Sequence, residues 1–224
     1  MKKIFGVFER AYCISLPKNS ERRARAQEQF QKIGIEVIFV DGVTCKELSG
    51  FPSLGARGCY LAHLSVWQRE LQQKSGSALV FEDDVLLPRH LRKLDLGKEL
   101  RPGNWDFFYF GYLYGLTPTV RPTSKRKVFK ILNGDFHGAH AYGVNRVILE
   151  DLVDNLERIA IDTPMHFDGA LTTYRLLKNI VEVPALGYRP VIQCAGFSDV
   201  TPARQQLFRQ TLSKIKRKLL EQFY

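Results

Sequence analysis

The sequence predicts an α/β fold with a Rossmann-type, mostly parallel central sheet flanked by helices. An apolar run at residues 10–16 is followed by a polar, helix-like stretch at 19–34 and by a second β-rich run at 35–40. Strand, helix and strand within roughly thirty residues make a βαβ unit, which implies parallel strands. Gly34 is the residue type that commonly ends such a helix. The start of the chain therefore indicates a layered sheet-and-helix domain.

The rest of the chain continues to mix the two patterns. Apolar residues at helical spacing predict helices at 58–73, 145–158 and 168–179. Runs rich in β-branched and aromatic residues predict strands at 77–81, 105–112, 136–144 and 180–184. Two stretches are expected to be irregular, the Gly- and Ser-containing 44–58 and the basic, Pro- and Thr-rich 118–130. We expect one domain over 1–200 and a separate helix over 201–224.

The charge balance restricts the classes of partner. The net charge is +10, which favours nucleic acid, nucleotide phosphates or an anionic membrane face. No helix-turn-helix, zinc or RNA-binding motif is present, so nucleic acid is not the expected partner, although a basic nucleic-acid-binding protein stays an alternative. The four cysteines have no zinc-type spacing. No apolar stretch is long enough to span a bilayer, so we expect a soluble or peripheral protein in a reducing cytoplasm.

The segment 201–224 combines an apolar stripe with basic charge. It contains six Lys or Arg residues and one Glu, a balance of +5. A basic amphipathic helix of this kind suits an anionic membrane surface. A helix that packs on the domain with its basic side in water has the same pattern, and the sequence leaves both open.

Three adjacent acids in "ALVFEDDVLLP" are the first candidate site. Glu82, Asp83 and Asp84 directly follow a predicted strand, and ligands of open parallel sheets bind beyond the carboxyl ends of strands. Carboxylates there can hold a hard divalent cation that grips phosphate oxygens. In an extended segment Glu82 and Asp84 point to one side and Asp83 to the other. The alternative is a helix N-cap with spare acids.

A basic turn after the first strand is the second candidate. In "ISLPKNSERR", Arg22 and Arg23 fall in the first turn of the predicted helix. Backbone amides and arginines at a helix start can bind the diphosphate of a nucleotide. A solvated basic helix is the alternative.

Six short motifs follow one another from residue 12 to about 200, and each is weak alone. They are "ISLPKNSERR", "EVIFVDGV", "GARGCYLAHLSVWQREL", "ALVFEDDV", "GAHAYGVNRVILEDLV" and "PVIQCAGFSDV". In this order they resemble glycosyltransferase family 25, the lipooligosaccharide galactosyltransferase family. The chain departs from the family pattern at Ser15, Pro17 and Ala62, where Asn, Asp and Ser are usual.

The resemblance implies a GT-A-like fold, a UDP-sugar donor, a divalent cation (Mn²⁺ or Mg²⁺) and inversion at the anomeric carbon. The acids then take the part of the family's DxD motif, with Asp84 as metal ligand and Glu82 or Asp83 near the donor ribose. The residues expected to line the nucleotide pocket are Leu16, Arg22, Arg23 and Asp41.

An inverting transfer also needs a carboxylate base for the acceptor hydroxyl. We expect Asp168 in this role, with Asp135 and Asp199 as less favoured choices and a plain helix cap as the alternative for Asp168. His140 is a candidate further metal ligand, or a strand histidine that only satisfies hydrogen bonds. His63 is expected to be structural or a contact near the donor.

The sequence thus predicts an enzyme that moves a hexose, galactose from UDP-galactose in β linkage, onto a terminal sugar of a lipooligosaccharide or similar surface glycan. The acceptor places the enzyme at the inner face of the cytoplasmic membrane. A catalytically inactive module of the same fold is the second alternative.

Overall fold

The computed structural model describes residues 3–74, 76–101, 103–122, 129–187 and 190–193. Within them an eight-stranded sheet is flanked by helices, and a two-stranded sheet lies at one end of it. The four helices are α1 (Ser20–Ile33), α2 (Leu54–Gln73), α3 (Leu149–Asp162) and α4 (Phe167–Leu177). The ten strands are β1 (Arg10–Ser15), β2 (Ile38–Asp41), β3 (Ala78–Glu82), β4 (Val85–Leu86), β5 (Phe107–Tyr109), β6 (Leu113–Pro122), β7 (Phe129–His137), β8 (Ala141–Val144), β9 (Glu182–Leu186) and β10 (Ile192–Gln193).

The large sheet has the order β2-β1-β3-β8-β5-β9-β7-β6. Strand β1 pairs in parallel with both β2 and β3, and β5 pairs in parallel with β9. Strand β8 is antiparallel to its two neighbours, and β7 is antiparallel to β9 and β6. Six of the eight strands therefore point the same way, with β7 and β8 reversed. The predicted α/β class with a mostly parallel central sheet flanked by helices is confirmed.

Both faces of the sheet are covered, and the alternation of side chains along β1 shows it. Tyr12 and Ile14 pack into the core beneath α2, α3 and α4. Ala11 and Cys13 pack into the other core, with Phe30 of α1. Because both faces are apolar, β1 is buried almost throughout, as a central parallel strand should be.

The end of α1 and the start of α2 are each fixed by an identifiable capping residue. Helix α1 ends at Gly34, whose φ of 73° is left-handed and whose amide donates to the carbonyl of Gln31. Helix α2 begins at Leu54, earlier than predicted, because the hydroxyl of Ser53 accepts from the amide of Ala56 and caps it. The expectation that 44–58 is irregular throughout is wrong for this first turn.

Two other boundaries also differ from the predictions. Residues 118–122 and 129–130 are strand rather than loop, because β6 is an edge strand, where proline is tolerated. The predicted single strand at 136–144 is two strands. β7 ends at His137, and the chain turns at Gly138, whose φ is 129°, before β8 begins. A side chain at Gly138 would be strained in that conformation.

The predicted basic helix at 201–224 lies outside the described residues. Among the helices that the structure describes, none combines the length and the apolar character needed to cross a membrane.

Candidate active site

A cleft of about 280 Å³ opens where β1, β2 and β3 end. These strands are parallel, so their carboxyl ends, Ser15, Asp41 and Glu82, lie at one edge of the sheet. The residues that line the cleft come from four places: the end of β1 with the start of α1, the segment after β2 with the first half of α2, the acids at the end of β3, and β10. This is the position where open α/β sheets bind ligands.

The three acids lie at a strand end and in the turn that follows it, rather than at a helix start. Strand β3 ends at Glu82, Asp83 and Asp84 form the turn, and β4 follows at Val85. Strand β4 pairs with β10, which brings Gln193 opposite Val85 at the cleft. The alternative of a helix N-cap is therefore wrong.

The acids divide as the strand alternation predicts. The side-chain amide of Gln193 donates to Oε2 of Glu82 at 3.0 Å and to Oδ2 of Asp84 at 3.1 Å, so these two carboxylates share a side. Asp83 is buried and points elsewhere. Its Oδ2 accepts from the hydroxyl of Ser15 at 2.7 Å, and its other oxygen pairs with Arg22.

The charge of Asp84 is only partly compensated by the protein groups around it. Burial and the charges of Glu82 and Asp83 raise the pKa of Asp84 to about 7, although Arg22 and Gln193 oppose the shift. Its Oδ1 is buried and has no hydrogen-bond partner among the described residues. Hard divalent cations prefer carboxylate oxygens. The acids at the end of β3 therefore fit a Mg²⁺ or Mn²⁺ ion, and Asp84 offers the buried oxygen that has no protein partner among the described residues.

Glu82 behaves differently from Asp84. Burial acts to raise its pKa, but the interactions of Glu82 with His63, His140 and Arg22 outweigh burial and lower it. Glu82 therefore stays ionised. Its Oε1 lies 3.4 Å from Nε2 of His63 and 3.8 Å from Sγ of Cys59.

His140 lies behind Glu82 rather than beside Asp84. Its carbonyl accepts from the amide of Glu82 at 3.0 Å, and its Nε2 is 3.2 Å from the carbonyl of Val191. Burial lowers the pKa of His140, so the ring is neutral near pH 7. These contacts agree with a histidine that satisfies hydrogen bonds, and its role as a metal ligand stays a prediction.

A compact group of possible ligand atoms, not predicted from the sequence, belongs to the cleft residues Cys59, His63 and Glu82. One atom each of Cys59, His63 and Glu82 lies within 4.8 Å of the others, the one such group found among the described residues. The signal was present, because Cys59 and His63 are four residues apart and so share a face of α2.

The four predicted nucleotide-pocket residues fall into two pairs. Leu16 and Arg22 line the cleft. Arg23 and Asp41 form an ion pair of 3.1 Å beside it, with the Asp41 side chain 67% exposed. Their contact with a nucleotide stays a prediction, since it would require the pair to open.

Asp168 is the second residue of α4, whose N-cap is His166, so it is not the cap residue itself. Its Oδ1 accepts from the adjacent amide of Gly169 at 2.9 Å. Its charge acts to raise the pKa values of Cys59 and His140, but Asp168 is not among the residues that line the cleft. The side chain of Asp135 and the whole of Asp199 lie outside the described part of the chain.

The fold and the acid-lined cleft at its strand ends define an α/β domain with a candidate ligand site at the position where open sheets bind ligands. The family model of glycosyltransferase family 25, described as an LPS biosynthesis protein, matches residues 8–168. The chain belongs to this family, as its sequence motifs predict.

Individual relatives are distant. A glycosyltransferase 25 family member of Anopheles gambiae is 28% identical over 124 residues, which are 45% of this chain and 21% of the relative. The lipooligosaccharide biosynthesis protein lic2B of Haemophilus influenzae is 27% identical over 163 residues, 63% of this chain and 61% of the relative. An inactive glycosyltransferase 25 family member 3 of Mus musculus is 26% identical over 129 residues, 46% of this chain and 22% of the relative. The match thus spans about a fifth of the length of the animal relatives.

Among solved structures, a glycosyltransferase involved in the glycosylation of the major capsid of PBCV-1 aligns with a TM-score of 0.44 and 13% identity, over 69% of this chain and 66% of the other.

Proposed function

We propose that this chain is a metal-dependent, inverting glycosyltransferase that moves a hexose from a UDP-sugar onto a terminal sugar of a lipooligosaccharide or similar surface glycan. The donor that we propose is UDP-galactose, with transfer in β linkage. Family membership and the lipooligosaccharide role of the Haemophilus relative support this choice of substrate class. The observation that most supports the chemistry is the unpartnered, buried Oδ1 of Asp84 inside an acid-lined cleft.

In this proposal Asp84 and Glu82 would hold Mn²⁺ or Mg²⁺, which would supply positive charge against the departing diphosphate. Arg22, in the first turn of α1, pairs with Asp83 and Asp84 and would add a second positive charge there. Leu16 and Asp83 would contact the nucleoside. Arg23 and Asp41 would join them if their ion pair opens.

The transfer itself needs a proton acceptor. Asp168 would take the proton of the acceptor hydroxyl as that oxygen attacks the anomeric carbon from the face opposite the diphosphate. The bond between the anomeric carbon and the diphosphate oxygen breaks, and UDP leaves. The transferred sugar is then bonded to the acceptor with inverted configuration at its anomeric carbon.

A binding and turnover experiment tests the proposal. Purified protein is titrated with UDP in the presence of Mn²⁺ and then incubated with a panel of UDP-sugars and a lipooligosaccharide acceptor, with release of UDP as the measurement. We expect binding of UDP and turnover of UDP-galactose. Asp84→Asn should abolish turnover while leaving the circular dichroism spectrum unchanged. Absence of UDP binding in the wild-type protein would reject the proposal.

The relatives that are named inactive favour one second candidate, a family member that binds nucleotide or partner without turnover. The same experiment separates the two. UDP binding without release of UDP from any UDP-sugar, in the presence of a lipooligosaccharide acceptor, would support the inactive module.

We further propose that the chain acts at the inner face of the cytoplasmic membrane, bound through the basic segment 201–224. Full-length protein should sediment with vesicles of phosphatidylglycerol, and a chain without residues 204–224 should not. Equal sedimentation of both would mean that this segment does not bind the membrane.

A further inference from the structure

The proposed function leaves His63 without a role, although its ring is buried and reaches an acid of the cleft. Nε2 of His63 is 3.4 Å from Oε1 of Glu82, and Nδ1 is 3.2 Å from the hydroxyl of Tyr142. The same hydroxyl accepts from the indole nitrogen of Trp67 at 2.8 Å. Trp67, Tyr142 and His63 thus form a buried hydrogen-bond chain that ends at Glu82.

The donors and acceptors that each side chain carries fix which group donates at every step of this hydrogen-bond chain. The indole of Trp67 can only donate, so the Tyr142 oxygen is its acceptor. The single hydroxyl hydrogen of Tyr142 is then free to point at Nδ1 of His63. A neutral histidine that accepts at Nδ1 carries its proton on Nε2, and that proton faces the carboxylate of Glu82. Every donor in the chain then has an acceptor.

The opposite tautomer of His63, with its proton on Nδ1, would leave a donor of this hydrogen-bond chain without an acceptor. A proton on Nδ1 would point at the Tyr142 oxygen, whose own hydrogen would then have no acceptor among the groups that contact it here. The Nε2 lone pair of His63 would face the oxygens of an ionised Glu82. Unsatisfied buried donors and facing lone pairs are both unfavourable, by about 1–3 kcal/mol for a buried donor that lacks its bond.

We propose that His63 is a positioning residue for Glu82, held as the Nε2–H tautomer by Tyr142 and Trp67. Its hydrogen bond commits Oε1 of Glu82 to the interior, where Cys59 also contacts it. The other oxygen, Oε2, is turned towards Gln193 and the side of Asp84. The hydrogen-bond chain therefore determines which oxygen of Glu82 faces a ligand in the cleft.

The His63 ring is fixed in a second way that ties the acid to α4. It stacks on Phe167, with 4.3 Å between ring centroids and 12° between ring planes. Phe167 is the first residue of α4 and precedes Asp168. The orientation of Glu82 and the start of the helix that carries the proposed base therefore depend on the same buried ring. This inference rests on the proposed function for its effect on turnover, but not for the tautomer.

Tyr142→Phe is the informative variant, because it removes one oxygen and keeps the ring that packs in the core. Tyr60→Phe is its matched control, since Tyr60 is also fully buried and donates its hydroxyl to the carbonyl of Leu156, away from the acids. Tyr142→Phe loses two buried hydrogen bonds and Tyr60→Phe loses one, so Tyr142→Phe should also lose more thermal stability. Only Tyr142→Phe removes the partner of His63.

The first readout is the tautomer of His63 in wild-type protein, from ¹⁵N chemical shifts of its ring at pH 7.5. We expect a proton on Nε2, and in Tyr142→Phe a mixture of the two tautomers. The second readout is steady-state release of UDP from UDP-galactose with Mn²⁺. We expect kcat to fall by about 10- to 100-fold in Tyr142→Phe, the size typical of residues that orient a ligand group, with a smaller change in Tyr60→Phe.

A proton on Nδ1 in the wild-type protein would overturn the inference, and so would equal kcat values for the two variants. His63→Gln gives a further check, because a glutamine amide can still donate to Glu82. It should retain more activity than His63→Leu at similar thermal stability, and equal loss in both would count against positioning. If wild-type protein turns over no UDP-sugar, the proposed function fails, while the tautomer measurement still decides the inference.

Discussion

Arg22 lies directly against Asp84, with Nη2 of the guanidinium 3.2 Å from Oδ2 of the carboxylate, and the same nitrogen also pairs with Asp83. One cation of α1 thus offsets part of the repulsion between two neighbouring acids. Helix α1 begins directly after the turn that follows β1, so the βαβ unit itself delivers this cation to the end of β3. The acids of the cleft are therefore stabilised from a different segment of the chain.

Arg22→Gln should weaken the binding of UDP in the presence of Mn²⁺ by about tenfold or more, because hydrogen bonds to charged groups contribute about 1.5–3 kcal/mol. Calorimetric titration with UDP measures the change. Arg25→Gln is the control, since Arg25 lies on the same helix with its side chain exposed. An affinity for UDP that is equal in both variants would show that Arg22 only stabilises the acids.

The binding of Mn²⁺ should depend on pH through Asp84. Its raised pKa of about 7 means that the carboxyl is half protonated at neutral pH, and a proton there competes with the cation. Affinity for Mn²⁺ should therefore rise between pH 6 and pH 8, and binding should release protons. Titrations in buffers of different ionisation enthalpy measure both effects. Asp84→Asn should bind Mn²⁺ weakly at every pH, whereas Asp154→Asn, on the exposed side of α3, should behave as the wild type.

The raised pKa of Asp84 also determines whether the cation-free protein becomes more or less stable as the pH rises. Because the folded-state pKa of Asp84 lies above its ordinary value of 3.8, the folded protein binds this proton more tightly than the unfolded chain does. The contribution of Asp84 to stability is therefore present at low pH and is lost as the pH rises towards 7 and beyond. As the pH rises from 3.8 to about 7, the melting temperature of wild-type protein should fall relative to that of Asp84→Asn. A difference that is constant across the window would contradict the shift.

The sequence was sufficient for the parallel half of the sheet and for the position of the acids. Strand alternation alone separated Glu82 and Asp84 from Asp83, because side-chain direction along an extended segment depends only on the backbone. The βαβ unit placed Arg22 near the strand ends for the same local reason. Features set by short-range geometry were therefore predictable.

Features set by long-range packing were not predictable from the sequence. No pattern in the sequence shows that β10 pairs with β4 and brings Gln193 between Glu82 and Asp84. The edge position of β6, which allows prolines in a strand, also depends on the order of the whole sheet. The contact between His63 and Tyr142 joins α2 to β8 across 79 residues.

Asp168→Asn tests the proposed base. The asparagine oxygen can still accept from the amide of Gly169, so the start of α4 should be unchanged. An amide cannot take a proton from the acceptor hydroxyl, and kcat should fall by about 10²- to 10⁴-fold with little change in UDP binding. Asp162→Asn, at the exposed end of α3, is the control. Turnover that survives in Asp168→Asn would direct the search for the base to Asp135 and Asp199.

Gly58 lets α2 approach the segment after β2, and both line the cleft. A Cβ at Gly58 would lie 2.2 Å from the carbonyl oxygen of Val43, a backbone atom that cannot rotate away. Alanine favours a helix over glycine by up to about 1 kcal/mol, but a forced shift of packed backbone opposes this by about 1–3 kcal/mol. Gly58→Ala should therefore lower the free energy of unfolding and widen or distort the cleft.

Gly169→Ala is the matched control for this substitution. Gly169 is also helical, and its added Cβ would meet only the side chain of Met165, at 3.5 Å, an ordinary contact. Helix propensity should then dominate, and Gly169→Ala should unfold at the same or higher urea concentration than wild-type protein. Urea titrations followed by circular dichroism compare the two variants. If Gly58→Ala is as stable as Gly169→Ala and binds UDP as the wild type does, α2 does not need the close approach that Gly58 provides.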